Sequence, residues 1–150
     1  MDATELQIDR ARSIDALNAL LKGELSAVET HRQAMAKFGD EAPDEFDLSL
    51  VSHQLRAQRI SVRIRDLGGK PAETSGAWGA FARLVEGGAA FFGRKSALAA
   101  LDEGEDHGLA LYRDHLDDLD RESRSLAESL LLPEQMKSRD HVRNLYRSCP

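Results

Sequence analysis

The sequence predicts an all-α domain, a bundle of four helices with a long crossover between the second and the third. Three observations predict it. Apolar residues recur at helical spacing along four segments, each far longer than a strand. Clusters of glycine, proline and aspartate separate them, at Gly39-Asp40, Gly68-Gly69-Lys70-Pro71 and Asp117-Asp118-Leu119-Asp120. Aromatic residues are only 5% of the chain, so aliphatic side chains must fill the interior, which suits packed helices better than a β-sandwich. The 150 residues suffice for one domain with a real core, with residues 1–12 and 148–150 expected as loose termini.

The first helix is expected from about Ser13, a natural N-cap, to Phe38. Leu17, Leu20, Leu21, Glu24, Ala27, Val28 and His31 share one of its faces. The second is expected from Asp44 to about Leu67, with Leu50, His53, Ala57, Ile60 and Ile64 in one stripe. Arg56, Arg59, Arg63 and Arg65 are assigned to its solvated outer face. Gly68-Gly69-Lys70-Pro71 stops it. The crossover runs from Ala72 to about Gly93. Ser75 is placed to cap a short helix there through Trp78, Phe81, Leu84 and Val85, an apolar segment expected to lie against the bundle. The third helix is expected from Arg94 to about Leu119, with Leu98, Leu101, Glu105, Gly108, Leu109, Tyr112 and Leu116 on one face. The fourth is expected from Arg121 to Arg147, with Val142, Leu145 and Tyr146 as late core positions. Pro133 marks a kink in it or the start of a second helical piece.

Charge and motifs narrow the function classes. A net charge of -6, with no long Lys/Arg run, argues against nucleic acid as a general partner. No apolar run reaches the length of a membrane span, and the acidic N-terminus has no secretory apolar region. Cys149 is the single cysteine, so no internal disulfide and no oxidising compartment is implied. A cytoplasmic protein is expected. No GxSxG, GxGxxG or GxxxxGK[ST] motif stands in a suitable context.

The halves repeat each other. Leu20-Leu21-Lys22-Gly23-Glu24 aligns without a gap on Leu101-Asp102-Glu103-Gly104-Glu105, and His31 then falls on Tyr112. The second and fourth helices carry one histidine each in comparable places, His53 and His141. Glu24, His53, Glu105 and His141 thus lie on predicted core stripes. A buried carboxylate requires a hydrogen bond, a cation, a proton or a metal. A divalent metal held by carboxylate and imidazole removes the repulsion between two facing carboxylates. A purely structural reading stands beside it: the carboxylates bond to Tyr112, His31 or helix neighbours, and the histidines are satisfied core residues. His31 and Tyr112 are expected beside the ligands and not among them. His107, His115 and Glu103 are expected in solvent.

These residues resemble a family of small bacterial ferritin-like four-helix-bundle proteins, classed as a domain of unknown function. The resemblance rests on Leu17-Asn18-Ala19-Leu20-Leu21-Lys22-Gly23-Glu24, Leu67-Gly68-Gly69-Lys70-Pro71, Ser75-Gly76-Ala77-Trp78-Gly79-Ala80, and Leu101-Asp102-Glu103-Gly104-Glu105 with Tyr112. It covers about residues 13 to 147 and implies a ferritin-like bundle. The wider superfamily often holds two irons with a Glu on helices one and three and Glu-x-x-His on helices two and four. Glu24 and Glu105 match the first pair, and His53 and His141 match the histidines. Leu50 and Ser138 stand where the remaining two Glu belong. An oxygen-activating di-iron enzyme is therefore not expected. One zinc, iron or manganese ion on Glu24, His53, Glu105 and His141 is the expectation. The alternative is a metal-free structural or interaction module, a homodimer or the docking site of a partner protein through Trp78 and Phe81.

Overall fold

The computed structural model describes residues 2–75 and 93–150. All regular structure among them is helical, in four long segments. The expected crossover helix around Trp78, Phe81, Leu84 and Val85 lies outside the described residues.

Helix α1 spans Ala3–Phe38, beginning ten residues before the expected Ser13. Asp2 caps it. Its side chain accepts from the Glu5 backbone N–H while Glu5 reaches back to the Asp2 N–H. This reciprocal capping box carries residues 3–12 as exposed helix where a loose end was expected. Ser13 is buried in mid-helix instead, and its Oγ donates to Asp120 Oδ1 at 2.6 Å.

Helix α2 spans Asp44–Asp66. It ends in a Schellman turn: Gly69 N–H donates to Ile64 O, Gly68 N–H to Arg65 O, and Gly68 has φ 85°. A side chain at Gly69 is also excluded, since a Cβ there would stand 2.8 Å from Ile14 Cγ2. The chain then follows α1. Asn18 Nδ2 donates to Lys70 O, Ala72 N–H donates to Asn18 Oδ1, and Ser75 Oγ donates to Glu29 Oε2.

Helix α3 spans Arg94–His115 and closes with a 3-10 turn, Leu116–Asp118. The fourth segment comprises α4, Arg121–Leu126, a π-helical turn, Ala127–Leu131, and α5, Leu132–Ser148. Pro133 thus opens a second helical piece, one of the two expected outcomes. Proline lacks an N–H and crowds the carbonyl four residues earlier, and the wider turn ahead of it accommodates both defects.

α1 packs along α2 and α3, and α3 along α5. The interior is layered. One apolar cluster gathers Leu17, Leu20, Leu21, Ile60, Ile64, Tyr112 and Leu131. A second gathers Ala34, Phe38, Phe46, Leu98, Leu101 and Val142. Between them each segment contributes buried polar residues: Glu24 and His31 from α1, His53 and Arg56 from α2, Glu105 from α3, Gln135 and Ser138 from α5.

Candidate metal centre

Glu24 and Glu105 occupy equivalent inner positions on α1 and α3, as the repeat predicts, and both are buried. Each is approached by the other half's residue seven positions further on. Tyr112 Oη donates to Glu24 Oε1 at 2.6 Å, and His31 Nε2 lies 3.7 Å from Glu105 Oε1. The repeat difference at this position, His31 for Tyr112, makes the two sides unlike. Glu24 receives a proton donor, whereas Glu105 faces a ring nitrogen.

His53 lies between the carboxylates. Its Nδ1 is 2.6 Å from Glu24 Oε2 and its Nε2 is 2.6 Å from Glu105 Oε1. Burial lowers its pKa, but Glu105 and Glu24 outweigh burial and raise it above the ordinary histidine value. Arg56 opposes that rise, but with a carboxylate oxygen against each ring nitrogen and no metal bound, the doubly protonated ring is the form this geometry favours. Burial raises the carboxylates and these neighbours reverse it. Arg56 and His53 hold Glu24 at about 2, and His53 brings Glu105 below its usual range.

His31 is the opposite case. Its Nδ1–H donates to Ala27 O at 2.8 Å, the only assignment that suits a carbonyl. Burial, with His53 beside it, drives its pKa to about 4, so the ring is neutral near pH 7. Nε2 is then a bare acceptor, buried, with no hydrogen bond among the described residues. It is turned toward a carboxylate that has no proton to give.

Arg56 corrects the solvated-face assignment: it is 2% exposed. It stands three residues after His53 and four before Ile60, both on the inner stripe, so it shares the edge of that stripe. Nε is 3.2 Å from Glu24 Oε1, an ion pair off the N–H direction, leaving Nε and Nη1 without hydrogen bonds among the described residues. Nη2 donates to Ser138 Oγ at 3.3 Å and lies 2.6 Å from His53 Nδ1. A guanidinium and an imidazolium at that distance repel.

His141 is not part of the centre; it is exposed beside buried Val142. The expectation placed His141 by its likeness to His53 on the second helix, and a regular α-helix through the segment would have turned it inward. His141 follows buried Ala127 by 14 residues, close to four turns of 3.6, and would share its face. The π turn absorbs an extra residue and rotates every later side chain by about 100°. Gln135, Ser138 and Val142 turn inward and His141 turns out. Gln135 Nε2 donates to both Glu105 O and Glu105 Oε2 at 2.9 Å. The repeat comes within one residue of it: Glu24 to Glu105 is an offset of 81 (105 − 24), which carries His53 to Glu134, and the extra residue of the π turn moves the inner position to Gln135.

His31, His53 and Glu105 each offer a donor atom within 4.8 Å of the others, and all three are buried. Glu24 touches His53 instead of joining that set. A cavity of about 30 Å³ between α1 and α3 is lined by Gly23, Ala27, His31, Gly104, Glu105 and Gly108, among others. That is room for one water molecule. Of the other histidines, His107 is exposed and His115 half-buried. No protein-family model matches the chain, and comparison with curated proteins finds no match. None of the helices in the described residues is long and apolar enough to cross a membrane.

Proposed function

We propose that this chain is a ferritin-like helical bundle that binds a single divalent metal ion through His31, His53 and Glu105. One observation carries the reading. Both histidines have Nδ1 against an oxygen acceptor, Ala27 O or Glu24 Oε2, while both Nε2 atoms converge on Glu105. Outer oxygen partners of this kind fix the tautomer and aim of metal-bound histidines. Glu24 is then the acceptor that orients His53, braced by Arg56 and Tyr112, and not a ligand. Two imidazoles and one carboxylate suit zinc or iron(II), with manganese a harder-cation alternative. Ligand atoms around such an ion lie ~3.3 Å apart, so the 2.6 Å His53–Glu105 contact opens slightly and the 3.7 Å His31–Glu105 gap closes. Metal binding replaces the proton on His53 Nε2, and the ion then stands near the Arg56 guanidinium, whose Nη2 lies 3.3 Å from that nitrogen.

A metal-free structural core is the second reading. Its support is the charge balance: Glu24 and Glu105 against His53 and Arg56, two of each sign in one buried layer. Calorimetric titration with zinc, manganese and anaerobic iron(II), beside elemental analysis of protein grown in supplemented medium, separates the two. One equivalent of metal is expected. His31→Ala is expected to weaken binding by at least about tenfold while leaving the helical circular dichroism intact. His141→Ala is expected to bind as the natural chain does. No uptake by the natural chain, or uptake indifferent to His31→Ala, overturns the site.

A further inference from the structure

Helix α2 is apolar on two opposite faces. Phe46, Ala57, Ile60 and Ile64 point into the core. Leu48, Val51, Leu55 and Val62 point out, with exposures of 63%, 50%, 52% and 48%. Single exposed apolar side chains are ordinary. These four are the majority of the large hydrophobics exposed among the described residues, and they follow a rule: Leu48, Leu55 and Val62 recur every seven positions, with Val51 three after Leu48. That is the spacing of a seam against another helix. Gln58 and half-buried Leu126 flank it in a shallow groove.

Charge along α2 selects the occupant. Its first turn holds Asp44, Glu45 and Asp47, whereas Arg59 and Arg65 stand toward the far end, beside Arg63, which is taken up by Asp120 and Glu122 of its own chain. A parallel copy of this helix would set acid on acid and base on base. An antiparallel copy sets each acidic end on a basic one. From this we infer that the outer face of α2 is a two-fold interface with a second copy of this chain, the helices antiparallel and crossing at Leu55. A two-fold axis there places Leu48 against the partner's Val62, seven residues to either side of the centre. Asp47 falls on the same flank as the partner's Arg65, twice over by symmetry. A crossing angle of ~20° splays the ends, where Asp44 and Asp66 stand, and keeps the contact to the middle turns. The face lies opposite His53, so it is separate from the proposed metal centre.

Light scattering on the full chain across micromolar to submillimolar concentration tests this. The natural chain is expected to run as a dimer. Leu55→Glu, a change on a solvent-facing position, is expected to raise the dimer Kd more than about tenfold with unchanged helical content. Asp47→Arg and Arg65→Asp are each expected to weaken the dimer, and the double exchange to restore it, because the pair is reformed with its signs reversed. A natural chain that stays monomeric overturns the inference, as does a dimer indifferent to Leu55→Glu. A double exchange no tighter than its single variants overturns the antiparallel register.

Discussion

Asp120 shows how much one short side chain can organise. It caps α4 at the Ser123 N–H, accepts from Ser13 Oγ of α1, and pairs with Arg63 of α2 at 2.8 Å. Burial raises its pKa, and Ser123, Ser13 and Arg63 reverse this and hold it at about 2, against 3.8 for the free side chain. A depressed carboxylate stabilises the fold fully above its unfolded value and loses that contribution as pH falls through its folded one. The window is therefore about pH 4 down to about 2. Asp120→Asn is expected to flatten the acid limb of denaturant-derived stability in that window, and Asp120→Ala to cost about 1–2 kcal/mol at neutral pH through the lost cap. Arg56 is the other decisive residue. Removing one member of a buried ion pair strands the other. Glu24 keeps Tyr112 and His53, so Arg56→Met is expected to destabilise the metal-free protein by about 3 kcal/mol, toward the low end of such losses. It also removes a positive charge beside the proposed ion. Zinc affinity is expected to rise about tenfold in the same variant, since one charge a few ångströms away is worth more than 1.4 kcal/mol even at an effective dielectric near 20. An unchanged or weaker zinc affinity would count against the proposed location.

At the scale of the element, Gly108 and the π turn do related work. Gly108 sits in mid-α3 opposite Gln135, and a Cβ there would stand 2.7 Å from Gln135 Nε2. Helix propensity favours Gly108→Ala by about 1 kcal/mol. Displacing Gln135 loses its bond to the ionised Glu105, a charge-assisted contact worth roughly 1.5–3 kcal/mol. The bond outweighs the propensity, so Gly108→Ala is expected to lower chemical-denaturation stability by about 1 kcal/mol. A stabilised variant would show that Gln135 contributes little to holding Glu105. The π turn makes that contact available in the first place. It sets the register of α5 so that Gln135 and Ser138 enter the polar layer.

At the scale of the molecule, two apolar clusters carry the hydrophobic stabilisation and the layer between them holds the buried charged and polar residues, where the metal is proposed to bind. A ligand that binds only the folded state stabilises it by mass action, about 2.7 kcal/mol at a hundredfold excess over Kd. For a chain of this size that corresponds to a rise in Tm of roughly 8 °C. Zinc at saturation is expected to produce such a rise in the natural chain, and in the Leu55→Glu variant, but not in His31→Ala. Equal rises in all three would place the metal elsewhere.

The helices were legible from periodicity because burial on one face of a helix imposes a spacing that composition cannot hide. α2 and the start of α3 fall where glycine and proline place them. The paired Glu24 and Glu105 were legible as well, since the repeat keeps them in step. Residues 3–12 were misread because a capping box at Asp2 and Glu5 can sustain a helix that buries almost nothing. Arg56 was misread because charge suggests solvent, and only packing reveals that Glu24 waits beside it. His141 was misread because a sequence carries no mark of a π turn, and a single added residue turns every later side chain by about a quarter of a circle. Local spacing decided which faces are apolar and where the chain breaks. The convergence of His31, His53 and Glu105 was decided by tertiary structure alone, because it depends on the relative rotation and height of three helices far apart in the chain.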